Sequence, residues 1–199
     1  MGYGQNVTNS AQGGGRGSNL LDLATTALEG VKAVAICDKD THALGCAREN
    51  FPGATCHEDF NTMLQEVAMD ALLIETPAHL HAEFASKALA RNIHVLSDIP
   101  TANSVEEGNR LWEAQQKSKA FYMTGANANF KGFIEAALDL KKRGLLGNPY
   151  YVEAAYLHDF RKYWEQTPWR KTKAVHATCI RSVRTKSTRR GNGGFKEID

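Results

Sequence analysis

The chain has 199 residues, 42% of them hydrophobic, enough for one substantial core and part of another domain but not for two complete large domains. The formal net charge of +2 conceals an asymmetry, because residues 161–199 carry eleven Lys or Arg against three acids and leave the rest net acidic. No apolar run approaches the roughly 18 residues that a bilayer span needs, and the first residues lack the basic-then-apolar pattern of a secretory leader, so a soluble, cytoplasmic protein with no membrane partner is expected. Cys37, Cys46, Cys56 and Cys179 include no C-x-x-C pair, which argues against a zinc ribbon or a redox dithiol; no metal site is expected, and Cys37 and Cys56, in or beside apolar runs, read as buried thiols.

In chain order, residues 1–11 hold only Tyr3 and Val7 as large apolar side chains, a composition in which a buried strand is hard to draw. Residues 19–28 place Leu20, Leu23, Ala24 and Ala27 on one helical face, ending at Gly30. The apolar run VKAVAIC, residues 31–37, reads as a strand. A helix over 41–50, a short strand over 55–57 and a helix over 59–67 follow. DALLIE, residues 70–75, is a continuous apolar run of the kind buried on both faces of a parallel sheet. The alternation continues with a helix over 80–90, a strand over 93–97, a helix over 105–117 and a strand over 121–124.

Alternating helices and strands predict an α/β fold, a doubly wound parallel sheet of the Rossmann type over residues 12–125. Beyond it, a helix over 133–142 closes on Gly144, Gly147-Asn148-Pro149 forms a turn, and residues 150–157 read as a longer strand opening a second domain over 126–169. Residues 170–199 are basic and rich in Thr, Ser and Gly, and are expected to be a disordered or loosely packed tail.

The chemistry-bearing residues begin at Gly13-Gly14-Gly15-Arg16-Gly17-Ser18, directly before a predicted helix. Glycines let backbone approach a pyrophosphate, and a helix N-terminus offers unpaired N–H groups and a positive dipole to its oxygens. A flexible linker would have the same composition. Asp38 ends the strand VKAVAIC 21 residues after Gly17, the spacing at which a ribose-binding acid is expected; alternatively it caps the helix that starts near Thr41. His79 and His81 follow DALLIE, and either line the ligand crevice or serve as surface or capping histidines.

These segments resemble the Gfo/Idh/MocA family of NAD(P)-dependent oxidoreductases. GGRGSNLLDLA, AICDKD, DALLIETPAHLHAEFASKAL, NIHVLSDIP, MTGANANF and GNPYYVEAAYLHDFR carry the resemblance in order over about residues 13–161. It implies a Rossmann domain followed by a substrate domain whose open sheet often mediates oligomerisation, with a homo-oligomer as a compatible state. It also implies hydride transfer on a sugar, inositol or related polyol, or, in some members, NAD-assisted glycoside cleavage. By this resemblance Gly13, Gly15, Arg16, Gly17 and Ser18 fall in the phosphate turn and Asp38 at the adenosine ribose. Thr76, Pro77 and His81 fall beside the nicotinamide ribose, Asp98 and Pro100 in the turn after the next strand, and Asn127 near the ring.

The chain departs from the family pattern in several places. Gln12 stands at the first glycine position, and Ile99 replaces the catalytic lysine of the family's Glu-Lys-Pro; isoleucine neither donates nor accepts a proton. A branch with an aliphatic residue there carries a segment like His158-Asp159-Phe160-Arg161, which makes His158 and Asp159 the catalytic candidates. Arg181 stands where the family has a substrate-domain histidine, and only the beginning of a truncated substrate domain is expected. NAD is the expected cofactor, because a carboxylate at position 38 disfavours an added 2′-phosphate, with NADP left open by the neighbouring Lys39. The alternative function is a non-catalytic dinucleotide-binding sensor or regulator. The basic tail would attract phosphate nonspecifically, and no motif for specific nucleic-acid recognition accompanies it.

Overall fold

The computed structural model describes residues 2–3, 16–149 and 151. Six strands, β1 (Gly2–Tyr3), β2 (Ala35–Cys37), β3 (Thr55–His57), β4 (Ala71–Ile74), β5 (His94–Ser97) and β6 (Tyr122–Thr124), form one sheet in the order β3-β2-β1-β4-β5-β6. Every neighbouring pair is parallel. Parallel neighbours require crossovers. Between β1 and β6 these are built from α1 (Arg16–Ala27), α2 (Thr41–Asn50), α3 (Phe60–Glu66), α4 (His81–Leu89) and α5 (Val105–Lys117), and α6 (Gly132–Lys142) follows β6. This strand order is that of the doubly wound dinucleotide-binding fold, whose crevice opens where the order reverses, beside β1.

The composition of residues 1–11 argues against a buried strand, yet β1 occupies the centre of the sheet. Gly2 pairs with Ala35 and Leu72, and Tyr3 with Ile36 and Leu73. Two residues bonded on both edges need little intrinsic strand preference, since the neighbouring strands supply the partners. Elsewhere the elements shift by a few residues at most: β2 is confined to the last three of its seven predicted residues, and α1 starts three residues before the predicted 19. Gly30 adopts φ +77° just after α1, a conformation that favours glycine. The strand expected over 150–157 lies outside the described residues apart from Tyr151, and the tail lies wholly outside them.

Strand β4 shows how the sheet is buried on both faces. Leu72 and Ile74 pack on one side with Phe60, Phe84, Leu89 and Val95. Leu73 points to the other side, into a cluster with Leu21, Leu44 and Phe51. The continuous apolar run at 70–75 follows from this two-sided burial. Cys37 is fully buried, whereas Cys56, on edge strand β3, is only half-buried. No helix among the described residues is long and apolar enough to cross a membrane.

Side-chain caps set the helix starts. The carboxylates of Asp40 and Asp59 accept from the N–H groups of His42 at 2.9 Å and Thr62 at 2.8 Å. The Ser104 hydroxyl accepts from Glu107 N–H at 3.2 Å, and Glu107 reaches back to accept from Asn103 N–H at 2.8 Å, a variant of the capping box. The Thr62 backbone N–H, followed by its hydroxyl, holds the Asp59 carboxyl below its usual range. A depressed folded-state pKa contributes stability above the unfolded-state value and loses it as pH falls through the folded one. The protection of amides at the start of α3, taken relative to their intrinsic exchange rates at each pH, should therefore fall on acidification, and Asp59→Asn should blunt that pH dependence. Phe60, 1% exposed and stacked on Phe84 with ring centroids 4.0 Å apart, leaves a large cavity if truncated. Phe60→Ala should lower the unfolding free energy measured in urea by about 3–5 kcal/mol.

Candidate functional site: the carboxyl edge of the sheet

Parallel strands deliver their following turns to one edge of the sheet, and most of the candidate residues lie there. Asp38 directly follows β2 and is 1% exposed. Its N–H donates to the His57 carbonyl at 3.1 Å, and its Oδ1 accepts from Asp40 N–H at 3.0 Å. These bonds fix both backbone and carboxylate at the strand end. The cap of α2, the competing task for Asp38, is performed by Asp40. Lys39 is exposed.

Arg16, Gly17 and Ser18 form the first turn of α1 rather than the loop before it. Gly17 is buried and Ser18 half-buried. The N–H groups of a first turn have no partners within the helix and sit at the positive end of its dipole, the arrangement that receives phosphate oxygens. Gly13 and Gly15 lie outside the described residues.

After β4, Thr76 and Pro77 are buried, and the Thr76 hydroxyl donates to the Pro77 carbonyl at 3.4 Å. A 3-10 turn, Ala78–Leu80, leads into α4. His79 on this turn is exposed, whereas His81 is 1% exposed. The His81 Nε2 lies 2.8 Å from the Thr76 carbonyl oxygen and its Nδ1 2.8 Å from that of Pro100.

After β5, Asp98 is half-buried and its N–H donates to the Ile74 carbonyl at 2.9 Å, extending the β4–β5 pairing into the turn. Ile99 is 51% exposed, and the Ile99–Pro100 peptide is cis. After β6, Asn127 is exposed at the start of a 3-10 turn, Asn127–Phe130. His158 and Asp159 lie outside the described residues.

The spacing arguments single out neither Ser97 nor Gly125. Ser97 is fully buried, and its hydroxyl donates to the Asp98 carbonyl at 3.1 Å. The Gly125 N–H donates to the Ser97 carbonyl at 2.7 Å. A Cβ on Gly125 would lie 3.3 Å from that oxygen and 3.5 Å from the Asp98 Cα, so the missing side chain allows two turns to touch. A glycine immediately after a strand, in MTGAN, is the signal that marks it. Gly125→Val should push the Asp98 turn away and cost about 1–3 kcal/mol of stability, measured by chemical denaturation.

The family model described as oxidoreductase family, NAD-binding Rossmann fold (GFO_IDH_MocA), matches residues 12–126. Among curated relatives, a protein named glycosyl hydrolase family 109 protein from Shewanella woodyi is 30% identical over 144 residues, covering 67% of this chain and 31% of the relative. Glycosyl hydrolase family 109 protein 2 from Akkermansia muciniphila is 27% identical over 157 residues, covering 73% and 32%. The chain thus spans about a third of the length of these relatives. Among solved structures, the WlbA dehydrogenase of Bordetella pertussis in complex with NADH and UDP-GlcNAcA superposes with a TM-score of 0.71 at 23% identity, over 85% of this chain and 50% of that one. Scyllo-inositol dehydrogenase of Lactobacillus casei with bound NAD(H) and scyllo-inositol gives 0.64 at 21% identity, over 74% and 42%. These likenesses are of fold, and the match over residues 12–126 shows that the chain belongs to the Gfo/Idh/MocA oxidoreductase family, with its NAD-binding Rossmann fold.

Proposed function

We propose that this chain binds NAD at the carboxyl edge of its sheet and serves an oxidoreductase acting on a sugar, inositol or related polyol. The observation that carries the reading is the fixed carboxylate of Asp38: it stands at the end of β2, buried, while Asp40 takes over the capping of α2. Held by Asp40 N–H, it is preorganised to accept from ribose hydroxyls and to repel a 2′-phosphate. The first turn of α1, with Arg16, Gly17 and Ser18, would hold the pyrophosphate, joined by Gly13 and Gly15. Thr76, Pro77, Asp98, Pro100 and Asn127 would line the nicotinamide end, with His81 buried behind them.

When bound, NAD supplies the acceptor for a hydride leaving a carbinol carbon. The proton of the same hydroxyl must go to a base, and Ile99 cannot be that base. We assign that role to His158 or Asp159. The exposed Ile99 instead presents an aliphatic surface beside Asp98.

A second reading, redox-assisted glycoside cleavage, is favoured by the relatives named as glycosyl hydrolases. Incubation with NAD and panels of polyols and aryl glycosides, following nicotinamide absorbance and aglycone release, separates the two. Binding without either reaction would indicate a sensor.

Calorimetric titration tests the cofactor site directly. NAD should bind more tightly than NADP, and Asp38→Ala should weaken NAD binding about tenfold or more, since hydrogen bonds to a charged group contribute about 1.5–3 kcal/mol, while narrowing the preference over NADP. An unchanged ratio of the two affinities would remove Asp38 from the ribose site, and absence of binding by either dinucleotide would overturn the reading.

A further inference from the structure

His81 is the first residue of α4, and its ring lies under the surface between two ligand-facing turns. Each of its nitrogens is 2.8 Å from a backbone carbonyl oxygen, one of Thr76 after β4 and the other of Pro100 after β5. Carbonyl oxygens only accept, so the ring bonds both of them with an N–H on each nitrogen, as the imidazolium, and neither nitrogen is left over for a phosphate or a ribose hydroxyl. We propose that His81 is a positioning residue: a buried strap that holds the Thr76–Pro77 turn to the Asp98–Ile99–Pro100 turn and so sets the width of the cleft without touching the ligand.

The argument is one of rigidity and chemistry together. Helix α4 is anchored by Ala82, Phe84, Ala85, Ala88 and Leu89, all buried, so the backbone that carries the ring is fixed against the sheet. The imidazole is planar, and its two nitrogens diverge at a set angle, unlike the end of a flexible chain. The backbone also ties the two turns through Asp98 N–H to the Ile74 carbonyl at 2.9 Å, at the strand ends. Farther out, His81 bridges to Pro100. Burying a polar ring is costly unless it is hydrogen-bonded, and here the bonds fall on backbone groups of the two residues whose turns face the crevice.

The consequence for cofactor binding rests on the NAD reading above, but the strap is measured without ligand. The reporters are the N–H groups of Leu80, which donates to Pro77, and Asp98, which donates to Ile74. Hydrogen–deuterium exchange on the full chain is compared for wild type, His81→Phe and His81→Gln, with thermal unfolding as the check on the fold. His81→Phe keeps ring bulk without a donor or acceptor; both reporters should exchange about tenfold faster, while amides of β2 remain slow. His81→Gln, whose amide nitrogen can donate to one carbonyl, should restore protection at one reporter. NAD affinity should fall about fivefold or more in His81→Phe, which loses both hydrogen bonds, and recover in part in His81→Gln, which regains one.

Wild-type exchange at both reporters in His81→Phe overturns the strap. So does equal loss at both in His81→Gln, which would mark mere space-filling at this position. If His81→Phe fails to fold, the comparison of His81→Gln with wild type decides by the same one-reporter criterion. Failure of the wild-type chain to bind NAD would count against the cofactor reading alone, because the exchange data stand without it.

Discussion

Strands β2 and β4 are not neighbours; each pairs with β1, so the two residues Gly2 and Tyr3 join the β2–β3 half of the sheet to the β4–β5–β6 half. Backbone N–H and C=O groups in a sheet interior must be paired, and this pairing sets the register of everything on either side. It also creates the reversal in strand order beside which a doubly wound fold opens its crevice. Asp38 lies on one side of that point, and the turns after β4, β5 and β6 on the other.

On the β4 side, contacts between turns are made largely by backbone. Asp98 N–H reaches Ile74, Gly125 N–H reaches Ser97, and His81 spans the carbonyls of Thr76 and Pro100. Such a frame tolerates variation in the side chains that project from it. The exposed Ile99 illustrates this: the turn that carries it keeps its hydrogen bonds around a side chain that neither donates nor accepts a proton.

Local periodicity made most of the architecture legible. Residues 41–50, 55–57 and 105–117 form the expected elements with the expected bounds, because caps and turn residues mark their ends and one face of each helix is apolar. DALLIE was readable for the same reason: burial on both faces demands uninterrupted apolar side chains. Asp38 was readable by spacing from the glycines, but spacing could not separate a ribose ligand from a helix cap. The bond from His42 N–H to Asp40 assigns the cap of α2 to Asp40.

The amino-acid pattern alone settled the class of fold, the order of its helices and strands after the glycine cluster, and the chemistry forbidden at Ile99, since each depends on local side-chain character. Tertiary structure decided the rest. The strand at Gly2–Tyr3 exists because two flanking strands offer it hydrogen bonds on both edges, a demand that no property of residues 1–11 expresses. The absent Cβ of Gly125 acquires meaning only where two turns meet. His81 reads in the chain as a crevice, surface or capping residue, and becomes a buried bridge because the carbonyls of residues 76 and 100, distant from each other in the chain, converge on its two nitrogens.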